Sequence, residues 1–170
     1  MIRVLIADDH RTFAEALRTA IRLEAGMTVV GVVHDGDDAI RTAVGKRPDV
    51  VLMDVAMPGP DGIAATRRIR EELPETRVVM LSAHEEEINV ARAIDAGASG
   101  FVSKFRPIKE VARSIRAAYR GEPLHEPQEL RRILTHLRKK REQDAAGRSR
   151  VDRLTRREVE ILQGLADGVA

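Results

Sequence analysis

Through the first 120 residues, short runs of aliphatic and β-branched residues alternate with stretches whose apolar positions recur every three or four residues. The short runs predict strands at Arg3–Ala7, Thr28–Val33, Asp49–Asp54, Arg77–Ser82 and Ser99–Ser103. The longer stretches predict helices near Thr12–Ala25, Asp37–Val44, Ile63–Glu72, Glu86–Ala96 and Ile108–Arg120, each long enough to carry the chain to the next parallel strand. This strict alternation predicts an α/β fold: a doubly wound (βα)5 unit around a five-stranded parallel sheet. The fifth helix is framed by Pro107, suited to the first helical position, and by Gly121, suited to the left-handed residue after the last turn. A domain of residues 1–121 is therefore expected.

Beyond Gly121 the pattern changes. Leu130, Ile133, Leu134 and Leu137 place one apolar stripe on an otherwise basic helix that starts near Pro127, and the non-periodic run Gln143–Arg150 reads as a flexible linker. Residues 122–150 are thus expected to form an amphipathic linker helix plus a flexible segment. Helical signal returns at Thr155, which with Glu158 makes a capping box ahead of Val159, Leu162, Leu165 and Ala166, with Gly168 as a stop. Residues 151–170 are read as the start of a further, incomplete domain.

Charge and composition narrow the function classes. Between Arg131 and Arg157 eleven basic residues face three acidic ones, which suits either a solvated helix and linker or attraction to nucleic acid. No apolar run approaches the ~20 residues that a bilayer-spanning helix needs, so no membrane association is expected. The first strand begins at Ile2, leaving no room for a secretory leader. The lack of cysteine excludes disulfides and thiolate chemistry and suits a cytoplasmic location. Met53, Met57 and Met80 read as core or loop packing.

Chemistry is concentrated where a parallel sheet collects ligands, at the carboxyl ends of its strands. The first strand ends in Asp8-Asp9, the third in Asp54, the fourth in Ser82 and the fifth in Lys104. Three carboxylates in one crevice repel unless they share a hard cation, and Mg²⁺ suits such oxygen donors. A carboxylate beside Mg²⁺ can attack a phosphoryl group while a lysine ammonium and a hydroxyl offset charge on the phosphoryl oxygens. Asp54, Lys104 and Ser82 supply those parts.

The segments IADDH (6–10), MDVAMPGPDG (53–62), LSAH (81–84) and GASGFVSK (97–104) resemble the receiver domains of bacterial two-component response regulators, a flavodoxin-like fold, over residues 1–121. That resemblance implies Asp54 as phosphoacceptor, Asp9 as a direct Mg²⁺ ligand, Asp8 as an outer-sphere or second acidic ligand, and the Ala56 carbonyl as the third protein ligand. It implies phosphoryl contacts from Ser82 and Lys104, with Phe101 as a switch aromatic that turns inward when Ser82 moves. An ordinary core role for Phe101 in the resting state is equally open. Receivers commonly have proline after the lysine, whereas Phe105 stands here, and a trans peptide is expected. His84 would flank the water that hydrolyses the aspartyl phosphate, either orienting it or blocking it.

The tail LTRREVEILQGLADGVA (154–170) resembles the opening of the LuxR-type helix-turn-helix, so the whole chain is similar to NarL/LuxR-family regulators. A sensor histidine kinase as phosphodonor, homodimerisation on phosphorylation, and DNA as the target of the full-length protein follow from that resemblance. Without a recognition helix, the 170-residue chain is expected to bind DNA weakly and without base preference. Two other classes stand as alternatives to this non-enzymatic switch. An aspartate-nucleophile phosphatase needs an acid two residues after the nucleophile, where Ala56 stands, and a phosphorylation-independent binding module has no need of a filled site.

Overall fold

The computed structural model describes residues 1–83, 92–125, 128 and 135. Two compact units divide the chain, residues 1–133 and 134–170. The second contributes one described residue, Thr135, which is helical and exposed.

Buried parallel strands are apolar on both faces, and that is why they were readable as continuous runs. The strands are β1 (Ile2–Ala7), β2 (Met27–Val33), β3 (Val50–Asp54), β4 (Arg77–Ser82) and β5 (Gly100–Ser103). All neighbouring pairs are parallel, in the order β2-β1-β3-β4-β5. The helices are α1 (Arg11–Arg22), α2 (Gly36–Lys46), α3 (Gly62–Glu72) and α4 (Ile108–Arg120). Residues 92–95 are also helical. Of the helix expected at Glu86–Ala96, Ala96 is already a turn residue, and residues 86–91, like His84, lie outside the described residues, as do nearly all of the linker and helix-turn-helix segments.

The alternation of side chains along each strand divides the core in two. Val4, Ile6, Val50, Leu52, Val79 and Leu81 pack with Leu17 and Ile21 of α1 and Val111 and Ile115 of α4. Leu5, Ala7, Val51, Met53, Val78 and Met80 pack on the other face with Ala39 and Ala43 of α2 and Ile63 and Ile69 of α3. Helices on both faces make the sheet doubly wound, as the alternation predicted.

Most boundaries fall within one residue of the sequence reading; helix α2 runs on to Lys46, two residues past Val44, and two other ends differ as well. Helix α1 stops at Arg22, short of Ala25, because Leu23 and Glu24 close a tighter turn onto Ala20 and Ile21 and Gly26 then turns the chain at φ +81°. Pro107 is the N-cap of α4, with extended ψ, and Ile108 is the first helical residue. Gly121 does occupy the left-handed position, at φ +71°. No cis peptide bond occurs among the described residues, and no described helix is long and apolar enough to cross a membrane.

Candidate functional site

The sheet order reverses at β1: the chain runs from β1 outward to β2, then returns to build β3 on the other side. A crevice opens at such a reversal, outside the carboxyl ends of the strands. Ala7 pairs with Met53, so the residues that follow stand at the same level: Asp8 just past β1 and Asp54 as the last residue of β3. Both are buried, at 0% and 4% exposure.

Lys104 reaches this pair from the end of β5, where its backbone N–H donates to the Ser82 carbonyl at 2.9 Å. Its ammonium lies 2.8 Å from Asp8 Oδ2 and 2.8 Å from Asp54 Oδ2, with the Phe13 ring centroid 5.3 Å away. One ammonium is thus divided between two carboxylates. Neither of those oxygens has a well-aligned hydrogen bond among the described residues, and neither does buried Asp9 Oδ1.

The charges answer to this geometry. Burial raises the Asp54 carboxyl above its ordinary range, and repulsion from Asp8 adds to this, while the Lys104 ammonium opposes both. Burial acts against the Lys104 charge, but Asp54 and Asp8 outweigh it and hold the ammonium above its ordinary value. The lysine therefore stays protonated and the acids compete for it.

Asp8, Asp9, His10 and Asp54 each offer one ligand atom, all within 4.8 Å of one another. Three carboxylates against one lysine leave the crevice net negative. Hard oxygen donors in that number, with buried oxygens left unaligned, fit a cation such as Mg²⁺. Ala56 follows two residues after Asp54, with its N–H 3.4 Å from Asp54 Oδ1. Ser82 ends β4, one residue past the strand partner of Asp54.

Phe101 is not in the crevice. It lies on β5 three residues before Lys104, half-buried against the cluster under α2 and α3, and stacks on His125.

Sequence reasoning did not assign His10, His34 or His125. His10 Nδ1 lies 2.8 Å from Asp9 Oδ1, and its only signal was its place directly after the two acids. His34 Nδ1 lies 2.8 Å from the Asp8 carbonyl, a contact 26 residues apart that no local pattern announces.

The loop between Asp54 and α3 folds back on the strand. Asp61 caps α3 by accepting from the Ala64 N–H at 2.8 Å, and the Gly62 N–H donates to the Val55 carbonyl at 3.0 Å. A Cβ on Gly62 would fall on the backbone oxygen of Asp54. Gly62→Ala is therefore expected to lower stability by about 1–3 kcal/mol and to displace Asp54. Urea denaturation checks this, and a wild-type midpoint would show that the loop can yield.

The family model for the response regulator receiver domain matches residues 4–116. The chain is 38% identical over 168 residues to the transcriptional regulatory protein LiaR of Bacillus subtilis, covering 99% of this chain and 78% of that one. It is 34% identical over 167 residues to the response regulator VraR of Staphylococcus aureus, covering 98% and 77%. Among solved structures, it is similar to a LuxR-family two-component response regulator from Aurantimonas, with TM-score 0.73, 32% identity, and coverage of 81% of this chain and 98% of that one. It also resembles the receiver domain of a putative response regulator NarL from Mycobacterium tuberculosis, with TM-score 0.68, 37% identity, and coverage of 71% and 98%.

Proposed function

Because the chain belongs to the response regulator receiver family, we propose that it is switched by transfer of a phosphoryl group to Asp54. The observation that carries this reading is the Lys104 ammonium placed 2.8 Å from both Asp8 and Asp54 at the ends of adjacent strands. A carboxylate oxygen of Asp54 attacks phosphorus, the bond from phosphorus to the donor's leaving group breaks, and an acyl phosphate results. Lys104 and Ser82 neutralise or hydrogen-bond the phosphoryl oxygens. Asp9, Asp54 and the Ala56 carbonyl would hold Mg²⁺, with Asp8 as the second acidic ligand. When bound, the cation supplies charge neutralisation to the phosphoryl oxygens. The donor is a sensor histidine kinase or a small acyl phosphate.

The added charge, about −1.5 to −2, lies in an already acidic crevice and draws Ser82 and Lys104 toward it. Phe101, on the strand that Lys104 directly follows, turns inward in response. Residues 1–121 act as the receiver, 122–150 as linker and 151–170 as the opening of a LuxR-type DNA-binding domain. In the full-length protein the switch controls dimerisation and DNA binding, in keeping with relatives that are named transcriptional regulators. Catalysis on outside phosphomonoesters is not expected, since Ala56 cannot shuttle a proton to a leaving group.

Incubation with Mg²⁺ and acetyl phosphate, followed by intact mass, tests the reading. One adduct of about 80 Da is the expected result, and turnover of added phosphomonoesters without an adduct would favour a phosphatase. Ala56, exposed beside the acceptor, cannot hydrogen-bond an attacking water. Ala56→Asn is expected to shorten the adduct's lifetime several-fold, read by mass after donor removal. An unchanged lifetime would count against this account of the approach path.

A further inference from the structure

Helix α4 ends at Gly121, and the chain then doubles back across the open edge of the sheet. The Glu122 N–H donates to the Ala117 carbonyl at 2.9 Å, and the Glu122 carboxylate pairs with Arg120 at 2.6 Å, so the turn is fixed at its start. Two residues further on, Leu124 lies on Gly100 so closely that a Cβ there would stand 2.7 Å from the Leu124 Cβ and Cδ1. Next to it, His125 Nε2 accepts the Phe101 backbone N–H at 3.1 Å, and the imidazole stacks on the Phe101 ring at 3.9 Å between centroids and 19° between planes.

An edge strand leaves alternate N–H groups without a strand partner. Here a side chain from the departing chain satisfies one of them, and it is the one belonging to Phe101. The ring and the strap border a hollow of about 200 Å³ together with Arg106, Glu110 and Ser114.

We infer that Leu124–His125 is a strap that couples the phosphorylation crevice to the segment leaving the receiver: His125 holds Phe101 in its half-buried position against the core, and rotation of Phe101 away from it removes the stack and loosens the strap. The inference rests on the phosphorylation of Asp54 proposed above. Phe101 lies on the four-residue strand that Lys104 directly follows, three residues before it, so a pull on Lys104 and Ser103 acts directly on the strap's partner. Coupling is reciprocal: whatever frees the strap also favours the state that carries the phosphoryl group. His125 is thus a positioning residue acting through Phe101.

Amide exchange read residue by residue in the whole chain, alongside intact mass, tests the strap. In the unphosphorylated protein the Phe101 amide is expected to be protected. His125→Ala and His125→Phe both remove the acceptor, the second while retaining a stacking ring, and each should speed exchange at Phe101 on the order of tenfold, the factor that losing one net hydrogen bond gives. With Mg²⁺ and acetyl phosphate, wild-type exchange at Phe101 and at residues 122–125 should rise. His125→Ala should show little further rise and carry more adduct at limiting donor. An adduct with unchanged exchange at these positions overturns the coupling alone, as does a His125→Ala protein whose Phe101 amide stays protected. No adduct at all overturns the proposed function, and the coupling with it.

Discussion

Asp54→Asn is expected to abolish the Mg²⁺-dependent adduct outright while leaving the fold intact. The amide has no carboxylate oxygen with which to attack phosphorus, and it fills the same space at the end of β3. Stability should hold or rise, because burial and the neighbouring Asp8 both disfavour the Asp54 charge, and Lys104 keeps Asp8 as a partner at 2.8 Å. The pH dependence follows from the sign of the shift. A carboxyl whose folded pKa lies above its unfolded one binds more protons when folded, so its contribution is fully present in acid and is lost as pH rises through the raised value. Wild type should therefore lose stability from the ordinary carboxylate range upward, and Asp54→Asn should lack that part of the slope. Urea midpoints between pH 4 and 7 measure it, and intact mass reads the labelling. Wild-type labelling of the variant would sink the assignment of the acceptor.

The second large effect is expected at Lys104. Methionine in its place preserves the length and apolar stem but removes the one cation, among the described residues, within 2.8 Å of both Asp8 and Asp54. Both carboxylates are almost wholly buried, so solvent offers little screening. Removing one partner from a buried ionic cluster costs about 3–5 kcal/mol, and a loss near the lower end is expected at neutral pH without divalent cation. Two conditions should restore part of it. Acid protonates the carboxyls, and under the proposed function Mg²⁺ would bind the folded crevice and stabilise it by mass action. In alkali the order is reversed. The Lys104 ammonium is raised above the ordinary lysine value, so its contribution persists below that value and disappears as pH climbs through the raised one. Wild type should weaken there and Lys104→Met should not. Denaturation with and without Mg²⁺ decides it. A wild-type midpoint for the variant in the absence of metal would mean that the acids find another counter-charge.

Most of the sheet was legible in the sequence. Each strand begins and ends within one residue of expectation, because a strand buried on both faces is a continuous apolar run bounded by polar residues. The end of α1 was not legible. Leu23-Glu24-Ala25 has nothing against helix in its composition, and the stop comes from backbone closure and the left-handed Gly26. Pro107 tolerates either the capping or the first helical position, and local chemistry alone does not separate them.

For the candidate site, Asp8, Asp54 and Lys104 stood out as charges at the ends of apolar strands, where a merely structural sheet has no use for them. The histidines did not stand out. What His125 does depends on Phe101, 24 residues earlier, reached only after the chain has passed over α4 and turned at Gly121. A side chain whose partner is set by the return path of a helix leaves no periodic mark. The close approach at Gly62 was hidden for a related reason, since it depends on which carbonyl the loop folds against.

That loop is held from two sides. Gly62 meets the Asp54 backbone at one end, and at the other Gly36 donates to the Pro58 carbonyl at 3.1 Å, with no room for a side chain against Pro60. Gly59 turns between them at φ +77°, against the Asp37 carboxylate. Ordering a free loop costs about 1–2 kcal/mol of conformational entropy per residue. Here that ordering comes with the docking of α2 and α3, so under the proposed function a cation held by the Ala56 carbonyl would meet a loop that has already lost its freedom. Its affinity would be reduced by dehydration and by competition with Lys104, and not by the work of shaping the loop.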